Sequence, residues 1–366
     1  MVLACGVTCI PMLAHAQSSV TLYGIIDEGV TYVSNEGGSH NVKMDDGVMY
    51  GNRWGLKGSE DLGGGMSAIF TLESGYSLNT GKLGQGGLEF GRQAYVGLAA
   101  RWGTITAGRQ YDSITDFITA FSPSLNGTGY GTHQGDYDRV AGERLNNTVK
   151  YMSPDFSGFN FGGLYSFSNT AGSFHDGSAY TLGAGYAHGP FKMAIAYGAY
   201  FKPTLDPYAA LGVTSFLGQT TATTNATTGV TTDTNSSLVI ESSRLSEIAA
   251  SYAVNEALTV YGVITHNALK GFGRTDAMNV YETGFQYRFS PAWTTYVGYQ
   301  HDTFEGHAWN QLTLGGTYSL SKATSLYTGL EYLKASAGVH PVVGYSFTPS
   351  SSSSQAIVRV GMFHTF

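Results

Sequence analysis

Apolar and polar residues alternate with a period of two from one end of this chain to the other. In the first such segment Val20, Leu22, Ile26 and Val30 share one face, and Thr21, Tyr23 and Asp27 share the other. Over 52–58, Trp54 and Leu56 oppose Arg53 and Lys57. Ala68, Phe70 and Leu72 oppose Thr71 and Glu73, and Val149 and Tyr151 oppose Arg144, Asn146, Thr148 and Lys150. At the end of the chain Ala356, Val358, Val360, Met362, His364 and Phe366 alternate with Ile357, Arg359, Gly361, Phe363 and Thr365. A period of two is the signature of a β-strand. Polar faces this charged do not suit a packed soluble core. They suit strands with lipid on one side and a water-filled lumen on the other. A last strand that runs to an aromatic residue is expected where it pairs with the first and leaves no open edge.

The connections fall into two classes. Short ones lie at 61–65, 100–103, 153–158, 189–190, 255–257, 290–292 and 320–323, and several carry Gly, Pro, Asn or Ser, which make tight turns. Longer polar stretches lie at 35–48, 78–88, 111–143, 169–177, 202–243, 269–278, 304–308 and 335–355. Long and short alternate strictly, which predicts an up-and-down transmembrane antiparallel barrel of about 16 strands with periplasmic turns and external loops. The Thr-, Asn- and Ser-rich stretch 214–237 and the serine run 350–354 predict solvated, mobile surface loops.

Composition agrees with lipid contact through strands. Charged residues are 12% of the 366, about half of the usual ~25%, yet no stretch approaches the roughly 20 apolar residues of a membrane helix. The 50 Gly, 25 Tyr and 19 Phe suit turns, strands and aromatic girdles. On composition alone a secreted β-helix or sandwich stays open. A net charge of −7 excludes a nucleic-acid partner, which needs a clustered excess of bases. Cys5 and Cys9 are the only cysteines, so residues beyond them have no disulfide framework or thiolate metal site. Leu3 to Leu13 is largely apolar and is followed by Ala14-His15-Ala16, which predicts a signal peptide over 1–16 and a single barrel domain over 17–366. No Lys or Arg precedes the apolar run, as though the true start lay further upstream.

Several blocks resemble the general porins of Neisseria and Burkholderia type. They are 18–24 (Ser-Ser-Val-Thr-Leu-Tyr-Gly) with Asp27, the thirteen residues 53–65 from Arg53 to Gly65, 91–98, 108–112, 146–151 and the closing 361–366. Thr365 stands where that family more often has a basic residue, and 214–237 lies outside the shared pattern. The resemblance implies an outer-membrane homotrimer among lipid and lipopolysaccharide that passes ions and small hydrophilic solutes, with no cofactor. It also implies that the third external loop, 111–143, folds into the lumen and faces arginines on the wall. The matching wall residues are Arg53, Arg92, Arg144 and Arg109. The facing acids are Asp112, Asp116, Asp136, Asp138 and Glu143.

Parity supports part of this. Arg53 and Arg144 lie on polar faces, and an arginine turned to lipid at mid-height would cost roughly 2–4 kcal/mol. For Arg92 parity is ambiguous, because Ala94, Val96 and Leu98 share its register, and Arg109 sits at a strand end. Tyr23, Asp27, Lys57, Glu73 and Lys150 are expected to line the lumen, with Glu60 and Glu282 as further acids. Arginines on one wall and acids opposite would select solutes by charge, with a slight preference for anions. His133, Asp136 and Asp138 lie close in sequence, but no catalytic motif occurs, and neither a metal nor a catalytic role is assigned to them. A barrel enzyme and a surface receptor acting through 202–243 are the competing readings.

Overall fold

A computed structural model of the chain describes residues 19–366 except 131, 132, 134 and 345. The expected signal segment, 1–16, lies outside these residues. The main sheet has seventeen strands, of which one, Ser39–Met44, is only a hairpin continuation of the first. Sixteen remain: β1 (Ser19–Glu36), β2 (Arg53–Gly63), β3 (Met66–Gly75), β4 (Gln93–Ala100), β5 (Gly103–Tyr111), β6 (Arg144–Met152), β7 (Phe159–Ser166) and β8 (Ala179–His188). They continue as β9 (Phe191–Phe201), β10 (Ser242–Ala253), β11 (Leu258–Gly271), β12 (Arg274–Arg288), β13 (Trp293–Phe304), β14 (His307–Ser319), β15 (Thr324–Ala335) and β16 (Ser354–Thr365). Neighbours pair antiparallel throughout. The first half of β1 pairs with β2 and the second half with β16, from Ile25↔Thr365 to Val33↔Ile357, which closes the barrel. Phe366 completes the seam, exchanging backbone hydrogen bonds of 3.0 and 3.1 Å with Gly24.

Period two decides what each side chain meets. On β15, Leu326, Leu330 and Tyr332 are exposed, while Ser325, Tyr327 and Glu331 between them are buried. The exposed faces carry the apolar residues, as lipid contact requires. Exposed aromatics gather toward both ends, with Tyr252, Phe285, Tyr287, Trp293 and Tyr318 near the short turns and Tyr180 and Tyr332 near the other end.

Two expected long connections are tight turns instead. β11 and β12 run to within two residues of each other, joined by Phe272 (φ 54°) and Gly273 (φ 73°), and β13 and β14 are joined by Glu305 (φ 46°) and Gly306 (φ 78°). Positive φ at both positions gives the mirror-image turn whose twist matches the strands it joins. The polar stretches 269–278 and 304–308 therefore belong to extended hairpins, and the strict alternation of long and short fails there.

The stretch 214–237 also departs from expectation. Phe216 and Leu217 within it, with Val213, Leu238 and Ile240 beside it, are buried against Val339, Val342, Val343 and Phe347 of 336–353 and against Met278, Val280, Phe304, Trp309, Leu333 and Ile357 of the wall, and Ala222 is buried too. Only 223–230 is continuously exposed. Scattered apolar residues in a Thr-rich background bury enough area to dock the loop. Gly212 makes the docking possible. Its φ is +72°, a side chain there would collide with the His340 carbonyl, and its own carbonyl accepts the His340 N–H at 2.9 Å.

Candidate functional site

Loop 3, the connection 112–143, is built from two short helices. α1 (Ser113–Phe117) is capped by Asp112, which accepts from the Thr115 amide, and α2 (Pro123–Thr128) is capped by Ser122, which accepts from the Leu125 amide. α1 packs on β7 to β9 and α2 on β12 to β15. The α2 contacts use wall positions with no side chain: at Gly298, Gly315 and Gly329 a Cβ would meet Ser124, Gly127 and Thr128. The faces that loop 3 touches are the polar ones, opposite the lipid-exposed leucines and aromatics.

Across from this loop, three of the four candidate arginines come together. Glu73 on β3 accepts from Tyr23 Oη at 2.9 Å and from Arg92 Nε at 2.8 Å, with Arg53 Nε 3.9 Å away. Arg92 precedes β4, so strand parity does not govern it, and its Nη2 reaches Tyr111 Oη at 2.8 Å. The same hydroxyl accepts from Arg144 Nη2, and the Arg144 guanidinium lies 4.4 Å over the Tyr111 ring. Arg53, Arg92 and Arg144 line one cavity of about 460 Å³, closed on the other side by Thr119, Asn126, Gly142 and Glu143. Arg109 is held apart, donating to the Gly91 carbonyl at 2.7 Å and to Asn146 Oδ1 at 2.6 Å.

Of the five candidate loop acids, Glu143 alone lines that cavity. Asp112 is buried, pairing with Arg139 Nε at 2.5 Å and accepting from Tyr200 Oη at 3.0 Å. Asp116 pairs with Lys150 at 2.5 Å, and its carboxyl is raised by burial despite that lysine. Asp136 accepts from Gln300 at 2.6 Å, and Asp138 accepts from Thr265 at 3.0 Å and binds His133 Nδ1. These acids fasten the loop to the wall. His133 completes the fastening, because its Nε2 lies 3.1 Å from Glu282, whose other oxygen accepts from Ser122 Oγ at 3.2 Å and the Ser124 amide at 2.9 Å. Burial alone would lower the His133 pKa, but Asp138 and then Glu282 outweigh it and hold it well above the ordinary value. Burial, with Asp138 alongside, pushes Asp136 up to about 7. His133, Asp136 and Asp138 bring ligand-type atoms within 4.8 Å of one another. Both His133 nitrogens face carboxylates, which makes the ring a charged link rather than the neutral imidazole a metal binds.

The remaining candidates are dispersed. Asp27 is fully buried and accepts from Tyr327 Oη at 2.6 Å and the Tyr50 amide at 2.9 Å. Lys57 is exposed, with Nζ 5.5 Å over the Tyr23 ring. Glu60 shares the face of Trp54 and Leu56 and lies exposed near the end of β2, so it belongs to the outer side and not the lumen. Two residues escape sequence reasoning. Tyr111 joins two arginines through one hydroxyl, a role that spacing does not announce. Arg359 is fully buried and donates to Tyr327 Oη at 2.7 Å and Thr31 Oγ1 at 2.8 Å, with Asp27 3.7 Å away. Its signal was available, as the one cation on the inward face of the last strand.

The Gram-negative porin family model matches residues 2–338. The chain belongs to that family. This porin is 36% identical over 210 residues to an outer membrane porin protein of Bordetella pertussis, a match that covers 50% of the chain and 54% of that protein. It is 29% identical to outer membrane porin protein 32 of Delftia acidovorans, over 96% of the chain and 95% of that protein. It is 27% identical to a major outer membrane protein P.IB of Neisseria gonorrhoeae over 90% and 92%. Among solved structures, the anion-selective porin from Comamonas acidovorans superposes with a TM-score of 0.75 at 24% identity, covering 96% of this chain and all of that one. OmpT of Vibrio cholerae superposes at 0.68 and 13% identity, covering 98% and 100%. The porin is an integral outer-membrane β-barrel and a diffusion channel, and the relatives it matches are channels.

Proposed function

We propose that solutes pass this porin between an arginine wall and loop 3, with the loop lying in the lumen and narrowing it. Arg53, Arg92 and Arg144 form the wall, Tyr111 holds two of them in place, and Glu143 faces them from the loop. The single supporting observation is that these arginines and Glu143 line one cavity. Arginines stay charged at any working pH. Three guanidiniums against the carboxylates of Glu73 and Glu143 leave the wall net positive, so the channel leans weakly toward anions. Arg109, Asp112, Asp136 and Asp138 support the constriction from behind, and Tyr23, Lys57 and Lys150 flank it. Transport is passive, with no catalytic step. The working unit is a homotrimer in outer-membrane lipid and lipopolysaccharide, a reading supported by the trimer form of the Vibrio cholerae OmpT. Residues 1–16 act as a signal peptide that is removed.

The test is the reversal potential of reconstituted protein in a salt gradient, beside an Arg53→Glu/Arg144→Glu double variant. The wild type should sit on the anion side and the variant should cross to the cation side. An open channel whose reversal potential does not move would remove these arginines from the constriction.

A further inference from the structure

A second cavity of about 430 Å³ lies between loop 3 and the connection from β9 to β10. It shares Ala141 and Glu143 with the arginine cavity, so the two adjoin. Its volume falls within the about 300–1,000 Å³ usual for small-molecule sites. Two backbone features build it. Gly135 has φ 99°, and a side chain there would collide with the Ala210 carbonyl, so loop 3 lies directly against the connection. The connection in turn forms α3 (Pro207–Leu211), capped by Asp206, which accepts from the Ala209 amide at 3.1 Å. Leu205 and Ala210 pack on the buried core around Phe216 and Val342. With Phe347 they give the cavity a fixed apolar side.

Its polar groups carry both signs. Arg139 lines it from loop 3, with the guanidinium 4.3 Å over the Tyr200 ring. Nε is spent on Asp112, but Nη2 is buried and has no hydrogen-bond partner among the described residues. A guanidinium edge left unspent is the group that takes a carboxylate. Asp206 lines the cavity from the connection. Burial raises the Asp206 carboxyl despite the Ala209 amide, and Asp233 beside it adds to the rise, so a positive charge placed there would relieve it. Glu143 supplies a second acid. A cavity with one unspent guanidinium edge, two acids and an apolar side is matched by neither a plain anion nor a plain cation. It suits a molecule that carries a carboxylate, an ammonium and an apolar body.

We infer that this cavity is a subsite for an apolar α-amino acid, with the carboxylate at Arg139, the ammonium at Asp206 and the side chain against Leu205, Ala210 and Phe347. The subsite rests on the reading that loop 3 lies in the lumen, and not on ion selection by the arginine wall. The test is a saturation-transfer NMR titration of the whole protein in detergent micelles, with the signal of empty micelles subtracted. The probes are phenylalanine, phenylpropanoate, which lacks the ammonium, and phenethylamine, which lacks the carboxylate. Phenylalanine should bind at least tenfold more tightly than either analogue. Asp206→Asn keeps a good helix cap; it should weaken phenylalanine at least tenfold and leave phenylpropanoate unchanged. Arg139→Lys keeps a positive charge on Asp112; it should weaken phenylalanine and phenylpropanoate alike and leave phenethylamine unchanged. The compact electrophoretic form shows that a variant has folded, and Asp206→Asn decides alone where Arg139→Lys does not fold. Equal binding of the three probes, or folded variants that bind phenylalanine as wild type does, would overturn the proposal. Binding is read without current, so such a failure leaves the arginine wall standing, and an unmoved reversal potential in the salt gradient leaves the subsite standing.

Discussion

Replacing His133 with leucine measures how firmly loop 3 is fastened. The side chains of His133, Asp138 and Glu282 have no exposed surface, and the ring touches one carboxylate through each nitrogen. Removing one partner of a buried ion pair costs about 3–5 kcal/mol. Both acids keep other partners here: Asp138 retains Thr265 and the Val140 amide, and Glu282 retains Ser122 and the Ser124 amide. The lower figure therefore applies. A loss of about 3 kcal/mol is roughly a 100-fold rise in the open population of the loop. Amide hydrogen exchange reads this directly at Ile118 and Gly129, whose N–H groups bond to Ile114 and Leu125 within the loop. The barrel strands serve as the internal control. The sign of the pH dependence follows from the same groups. His133 has a raised pKa in the attached loop, so its contribution is complete below the free value near 6.5 and is lost as pH rises through the attached value. Asp136, raised to about 7, contributes while protonated and loses that contribution between about pH 4 and 7. Both act in one direction. Loop 3 exchange, corrected for intrinsic rate, should accelerate from pH 5 to pH 9, and His133→Leu should retain only the Asp136 part. Exchange at Ile118 that changes less than about threefold, or strands that open as much as the loop, would refute the reasoning.

Two further predictions concern other charged residues. Arg359→Leu should leave Asp27 buried without its cation, weaken the β1–β16 seam by about 3–5 kcal/mol and lower the temperature at which the barrel loses its compact electrophoretic form. An unchanged transition would show that Tyr327 and the Tyr50 amide suffice for Asp27. Glu143→Gln should shift the reversal potential further toward anions, whereas Asp136→Asn should leave it within error of wild type. Equal shifts would mean that the buried acids also act on the passing ion.

How much of this was legible in the sequence depends on the range of the forces involved. The strands were legible because alternation is local: lipid and water each act on one residue at a time, so Val358, Val360 and Met362 declare their side without reference to the rest of the chain. The same locality put Arg53 and Arg144 on the polar faces of their strands. It failed for Arg92, which lies outside a strand, and for the two extended hairpins, where pairing carried polar residues past the apolar band. Loop 3 was opaque for a different reason. Its acids are sorted by partners far away in sequence, as with His133 and Glu282, 149 residues apart, and no local pattern tells a residue that fastens the loop from one that faces the channel. Counting loop acids therefore overstates the negative side of the proposed constriction. Four of the five candidates are spent on the wall or on neighbouring bases, and Glu143 alone shares the arginine cavity. The charge that an ion meets is set by which carboxylates remain unspent, and that quantity exists only once the loop has docked.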